Sequence, residues 1–320
     1  MNRNERGAAL LSVLLLVSIM AVIAALAIDR LNVATRLAIN QRGLDQARAH
    51  MMSAEAMSLL RLDEARNAAD GEGDQITQYL GRTTSLPVNG AIVSVSIEDG
   101  GNCFNLNSVV SGRSGNFVRN AQGVNQLIRL LSMLEVGPQD AAIIAGSLVD
   151  WIDSDTLVGE GGAEDDYYQN LPNPYRTANN LLFDSSELRA IRGVNADVFK
   201  RLEPWVCALP AALLSPINVN SIRSNQAILL AMIFTENIGV DRWRSAIEAR
   251  PSGGYPSAEA FLQTVGANIS ADINWQIPTK PAWYRLDINV QLDNVSASER
   301  VLIDGRFTKA RIVHREWGSK

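Results

Sequence analysis

From Ala8 to Ile28 the chain carries 21 residues without a charge, and only Ser12 and Ser18 among them are polar. At ~1.5 Å rise per residue, a helix of that length covers the ~30 Å hydrocarbon core of a bilayer. The apolar positions do not stop at Asp29. They continue at helical spacing through Leu31, Ala34, Leu37, Ala38, Leu44, Ala47, Met51, Ala54, Met57, Leu60 and Leu62, and no proline occurs before Pro87. This pattern predicts one helix from about Ala8 to about Ala68, roughly 90 Å long at that rise. Its first third is uniformly apolar and the rest amphipathic.

Beyond the stem the period changes. Asp70-Gly71-Glu72-Gly73-Asp74 breaks the helix with two glycines, a short helix is expected around Gln75–Leu80, and a turn at Asn89-Gly90. From Ala91 to Glu98, Val93, Val95 and Ile97 alternate with Ser94, Ser96 and Glu98, as in a half-buried strand. The same period of two returns near the C-terminus, where Tyr284, Leu286, Ile288, Val290 and Leu292 alternate with polar residues. Arg300–Ile303, the favoured hairpin pair Asp304-Gly305 and Phe307–Glu316 complete an antiparallel meander. One sheet is thus expected from segments about 190 residues apart.

The intervening stretch reads as helical: Val124–Leu134, then a helix opened by Pro138 and ending near Trp151, then Leu188–Ile191 behind a capping box at Asp184–Glu187. Val194–Leu202, Ser224–Ile233, Asp241–Ala249 and Ser257–Val265 supply four more. The expected class is α+β: a long N-terminal helix and an antiparallel sheet with a large all-α domain inserted into it. The boundaries read as 1–7 leader, 8–28 membrane span, 29–69 remaining stem, 70–115 with 282–320 sheet domain, and 116–281 insert.

Charge changes the picture in three places. The formal net charge of −5 gives no global case for nucleic-acid binding. Arg3 and Arg6 before the span place the N-terminus in the cytoplasm and the bulk of the chain across the membrane. A cleaved signal peptide ending at Ala25-Leu26-Ala27 is the competing reading, but its apolar core exceeds the usual ~7–15 residues and the helix runs through the cut. In an exported chain the two cysteines, Cys103 and Cys207, read as one disulfide, with two buried thiols as the alternative.

The third place is Asp150–Asp166, where seven carboxylates fall in 17 residues with no lysine or arginine: Asp150, Asp153, Asp155, Glu160, Glu164, Asp165 and Asp166. Carboxylates this crowded repel one another unless water or a cation intervenes. Gly159, Gly161 and Gly162 let the loop fold back, and Trp151, Ile152, Tyr167 and Tyr168 are placed to pin it. Ca²⁺ accepts six to eight oxygens in flexible geometry and suits such a loop outside the cytoplasm, where ~10⁻⁴–10⁻³ M affinity suffices. A solvated acidic loop is the bland reading. Asp153, Asp155 and Glu164 fit positions one, three and twelve of an EF-hand, but Leu157 and Val158 occupy positions that need a ligand and a glycine. A structural Ca²⁺ held by Asp153, Asp155, Glu160, Glu164, Asp165 and Asp166 is the expectation.

Several of these features also carry a resemblance. Arg6-Gly7 followed by Ala8-Ala9-Leu10-Leu11 resembles the processing site of type IV prepilins and type II secretion pseudopilins. That resemblance implies cleavage after Gly7 by a prepilin peptidase and methylation of Ala8. Most of that class carries glutamate at the fifth mature position, whereas here it is Ser12. A carboxylate within hydrocarbon is expensive unless paired. A subunit lacking it is expected to dock poorly beneath another and to sit at the top, as in the family of minor pseudopilin K. Asp150–Asp155 with Gly162–Tyr168 resembles that family's calcium loop, and Phe104–Asn107 and Ile217–Ser221 also match its pattern. The resemblance implies an inner-membrane, largely periplasmic subunit at the tip of a pseudopilus, initiating or capping it. Implied partners are minor pseudopilins I, J and H, with secreted cargo and the outer-membrane secretin as further contacts.

Other classes find little material. Asn218–Ser221 resembles the start of a helix-hairpin-helix DNA module, yet Ser224–Ile233 carries no basic residue to meet phosphate, and Asn220 and Ser221 read as turn and cap residues. Two histidines, His50 and His314, leave no metal triad or Ser/His pair, and no phosphate-binding glycine loop occurs. No enzyme is expected. A membrane-anchored calcium-binding adhesin and an exported hydrolase using the acidic loop are the alternatives.

Overall fold

The computed structural model describes residues 3–67, 79–88, 90–236, 238–267, 275–292 and 295–318. The expected glycine break at 70–74, most of the short helix at 75–80 and Asn89 of the expected turn lie outside them. Helix α1 (Arg3–Asn67) is the stem, continuous as the pattern required and beginning before Gly7. It is the one helix among the described residues long and apolar enough to cross a bilayer, and Leu10 to Ile28 lie exposed.

Strands β1 (Thr83–Val88) and β2 (Ala91–Asp99) form a hairpin, and β2 pairs antiparallel with β7 (Trp283–Leu292) across the sequence gap. β8 (Val295–Asp304) and β9 (Arg311–Trp317) complete a five-stranded sheet in the order β1-β2-β7-β8-β9. The alternation decides its faces. Leu286, Ile288 and Val290 turn toward α1 and form one core with Ala47, Met51 and Leu62, while Arg285, Asp287, Arg300 and Glu316 ladder across the other face.

Two points fix how α1 lies on this sheet. Near Gly43 the helix is so close that a Cβ there would stand 2.7 Å from Val295, at the start of β8. At the far end Arg66 donates to the carbonyls of Gly305 and Phe307, just past the end of β8. The helix therefore runs along the sheet, and its C-terminal turn marks the end of the sheet remote from the apolar span. Asp99 pairs with Tyr284 and Trp283 with Asp304 at that same end. The insert is rooted there.

Within the insert, β3 (Phe104–Asn105) pairs in parallel with β6 (Val206–Cys207), and β4 (Val110–Arg113) and β5 (Asn116–Arg119) make a small hairpin. The helices are α2 (Ala121–Met133), α3 (Pro138–Ile152), α4 (Asp165–Gln169), α5 (Ala196–Leu202), α6 (Ala227–Ala231), α7 (Val240–Glu248) and α8 (Ala258–Val265). They enclose a core separate from that of the sheet, built on Leu127, Leu130, Ile144, Leu148, Trp243 and Phe261. Cys103 and Cys207 are disulfide-bonded, with Cα atoms 5.8 Å apart across 104 residues.

Several elements differ from the pattern-based expectation. Phe104, Leu106, Val109 and Val110 are wholly buried in the insert's core, so the insert begins just after Asp99 rather than at 116. Strands of two and four residues are too short to show a period. β1 contains Pro87, which a ladder tolerates on an edge strand, and nearly all of β1 is exposed. β8 starts five residues before Arg300, because the charged Glu299 on its buried face interrupts the apolar alternation, and Phe307–Ala310 lies outside the last strand. Ser224–Ile233 splits into a 3₁₀ turn over Ser224–Gln226 and the short α6.

The paired asparagines are brackets within the fold. Asn105 donates to the carbonyls of Ala211 and Leu213 and accepts from Leu209 N, and Asn107 bonds both backbone groups of Leu182. Asn218 and Ser221 donate to Asp99 Oδ2 at 2.9 and 2.5 Å, joining insert to sheet. Burial outweighs these bonds and raises the Asp99 carboxyl to about 6.

Candidate metal centre

Helix α3 opens with Pro138 at its first turn and packs Ile144, Ala145, Leu148 and Ile152 into the core. Its last turn holds Asp150, and Asp153 is its C-cap. Placing acids at a helix C-terminus opposes the macrodipole, a local conflict that an added cation relieves. The chain then leaves the helix through exposed Leu157 and Val158 and returns at Gly162, Ala163 and Glu164 to start α4. Trp151, Tyr168 and Tyr175 stack edge to face or tilted at 5.2–6.0 Å and hold both ends of the loop. Ile152 and Tyr168 are fully buried, while Tyr167 lies outside beneath the Arg192 guanidinium at 4.9 Å.

This path brings Asp153, Asp155 and Glu164 together, with one carboxylate oxygen of each within 4.8 Å of the others. Asp153 and Glu164 are only 6% and 4% exposed, and Asp153 Oδ1 and Glu164 Oε1 are buried without a hydrogen-bond partner. Leaving a buried acceptor unsatisfied costs about 1–3 kcal/mol, and more when the acceptor is charged, unless something positive reaches it. Burial, followed by the charges of Asp155 and Asp150, raises Asp153 to about 7. Burial, then Asp150 and Asp153, raises Glu164 to about 7 as well.

The other expected ligands stand apart from this group. Asp165 accepts from Thr177 N and Oγ1 at 2.9 Å each and lies 3.8 Å from Arg176, and these bonds hold its carboxyl below the usual range. Glu160 and Asp166 are exposed. One participant went unread in the sequence: Thr177 also reaches Glu164 Oε2 at 3.5 Å. Asp150, counted there among the acids but not among the ligands, is buried beneath the loop. A lone threonine 13 residues from its partner leaves no spacing signal.

The donor set fits a hard divalent cation. Oxygens on opposite sides of Ca²⁺ stand at most ~5 Å apart, which matches the spread of this trio, and the remaining positions of a six- to eight-fold shell would have to come from other oxygens. With no sulfur or imidazole donor in the group, zinc is disfavoured.

Two family models described as "Type II secretion system (T2SS), protein K" match residues 102–211 and 217–274. Type II secretion system protein K of Aeromonas hydrophila is 32% identical over 327 residues, covering 98% of this chain and 97% of the relative. The chain belongs to the type II secretion system protein K family. The protein K of Pectobacterium carotovorum subsp. carotovorum is 30% identical over 322 residues, covering 99% of this chain and 98% of the relative. A solved structure, the GspK–GspI–GspJ complex from the type 2 secretion system of enterotoxigenic Escherichia coli, superposes with a TM-score of 0.74 at 25% identity, covering 88% of this chain and 98% of that one. Membership bears out the family resemblance, and the fold is the expected pilin-like one with an inserted helical domain. A protein K is a minor pseudopilin of type II secretion, and the exposed apolar helix accords with a membrane-anchored, periplasmic chain.

Proposed function

We propose that this chain sits at the tip of the periplasmic pseudopilus, where it starts or caps the filament. The observation that carries this is where the insert is rooted: Asp99 and Trp283, its two points of attachment, lie at the end of the sheet reached by the last turn of α1, remote from the apolar span. A domain of that size over the sheet obstructs a further subunit above. Ser12, where the class carries a carboxylate, removes the charge that would draw the chain beneath a sibling. Met52, Met57 and Leu60 on the outer face of the stem are 54–67% exposed and offer the surface on which sibling stems pack.

On this reading Gly7 and Ala8 form the prepilin peptidase site, the N-terminus is cytoplasmic and the insert periplasmic. Minor pseudopilins I and J, the companions of the related protein K in its complex, are the partners, with H below them and cargo or the secretin above. The acidic loop is a structural Ca²⁺ site held by Asp153, Asp155 and Glu164, with no role in turnover. The test of tip position is Ser12→Glu in cells expressing the whole system. The substitution is expected to lengthen pseudopili or place the chain within the shaft, and unchanged assembly and filament length would sink the idea.

A further inference from the structure

Asp150 is 1% exposed, yet its carboxylate is not among the three that converge. It faces the backbone of the loop instead. Gly159 N donates to its two oxygens at 3.3 and 3.1 Å, and the Ala163 N–H donates to it as well. The approach is close enough to demand glycine: a Cβ on Gly162 would stand 2.0 Å from Asp150 Oδ2, and one on Gly159 2.8 Å from Oδ1. Gly146, one turn earlier on α3, makes matching room, since a Cβ there would lie 2.4 Å from Glu160 O. The outgoing and returning limbs of the loop are thus both tied to the helix they left.

We propose that Asp150 is a positioning residue, a clamp that holds the 154–163 loop closed so that Glu164 faces Asp153 and Asp155 before any cation arrives. The clamp rests on the reading of that trio as a divalent-cation site. Its chemistry is directional. Glu164 follows Ala163 directly, so the N–H held by Asp150 sets the position of the last ligand. Without the clamp, closing the loop and ordering its residues would fall on the binding step and weaken it. The helix C-terminus disfavours an acid at 150, and the two backbone donors compensate.

The test uses the full chain in nanodiscs, with Ca²⁺ alone as the probe, titrated calorimetrically, and amide exchange of the loop followed in chelator. Asp150→Asn and Asp150→Ala are expected to raise the Kd for Ca²⁺ tenfold or more and to speed exchange at 155–163 at least tenfold, with α2 amides unchanged. Gly162→Ala, which keeps the charge but displaces it, should do the same. Asp155→Asn, a ligand variant, should weaken Ca²⁺ binding and leave the metal-free loop as protected as before. Wild-type affinity, or wild-type loop protection in chelator, in the Asp150 variants would overturn the clamp. If the unaltered chain binds no Ca²⁺, the metal reading falls by itself, and the exchange comparison still decides whether Asp150 closes the loop.

Discussion

At the scale of the residue, two carboxyls define the site's behaviour. Asp153 and Glu164 stand at about 7 in the metal-free fold, against ordinary values of 3.8 and 4.5. A raised value means that the folded chain holds the proton more tightly than the unfolded one. Their contribution to stability is therefore complete below about pH 4 and is lost as the pH rises through about 7. In chelator the melting temperature is expected to fall between pH 5.5 and 8, and Asp153→Asn with Glu164→Gln should flatten that fall. The same double variant should melt higher than the unaltered chain at pH 8 without metal, because it removes two buried charges that each leave one oxygen without a partner, and should lose the response to Ca²⁺. A lower melting point there, as for an ordinary hydrogen-bonded pair, would contradict the assignment. With Ca²⁺ the dependence inverts, since ligation needs the deprotonated forms and affinity rises with pH. The sequence displayed the acids but not their separation into buried ligands, a surface pair in Glu160 and Asp166, and the Thr177-bound Asp165. That sorting depends on how the loop returns onto α3, and no periodicity encodes it.

At the scale of the element, legibility followed length and regularity. The 65-residue stem and the ten-residue β7 repeat their period often enough to be read without structure. Asp184 and Glu187 make the expected capping box, although they cap a 3₁₀ turn. β1 escaped because Pro87 and an exposed edge remove both markers of a strand, and β3 to β6 because two to four residues define no period. The disulfide belongs to this scale also. It joins the residue before β3 to the last residue of β6, and those strands share only two residue pairs. A loop of about 100 residues closed covalently is worth up to ~4.7 kcal/mol in chain-entropy terms. Cys103→Ser with Cys207→Ser is accordingly expected to lower the stability of the insert by about 2–5 kcal/mol in urea unfolding, leaving the transition of the sheet in place. Equal loss in both transitions would show that the two cores are not independent.

At the scale of the molecule, two hydrophobic cores are strung on one chain. One packs α1 against the sheet, the other lies within the insert, and the polar contacts of Asp99, Asn218 and Ser221 join them. That division explains how a pilin-like subunit carries a large domain at its distal end without disturbing the stem: the sheet keeps its register while the chain between β2 and β7 folds by itself. It also locates the effect of a cation. The acidic loop belongs to α3 and α4, so metal binding should stabilise the insert and leave the stem and sheet alone. The most direct measurement is calorimetric unfolding of the full chain in detergent, with millimolar Ca²⁺ and with chelator. The expected result is two transitions of which only the insert's rises with Ca²⁺, by the equivalent of ~2.7 kcal/mol at a hundredfold excess over Kd, and does not rise in Asp153→Ala with Glu164→Ala. Unfolding that Ca²⁺ leaves unchanged, or a shift that survives in the double variant, would contradict the account.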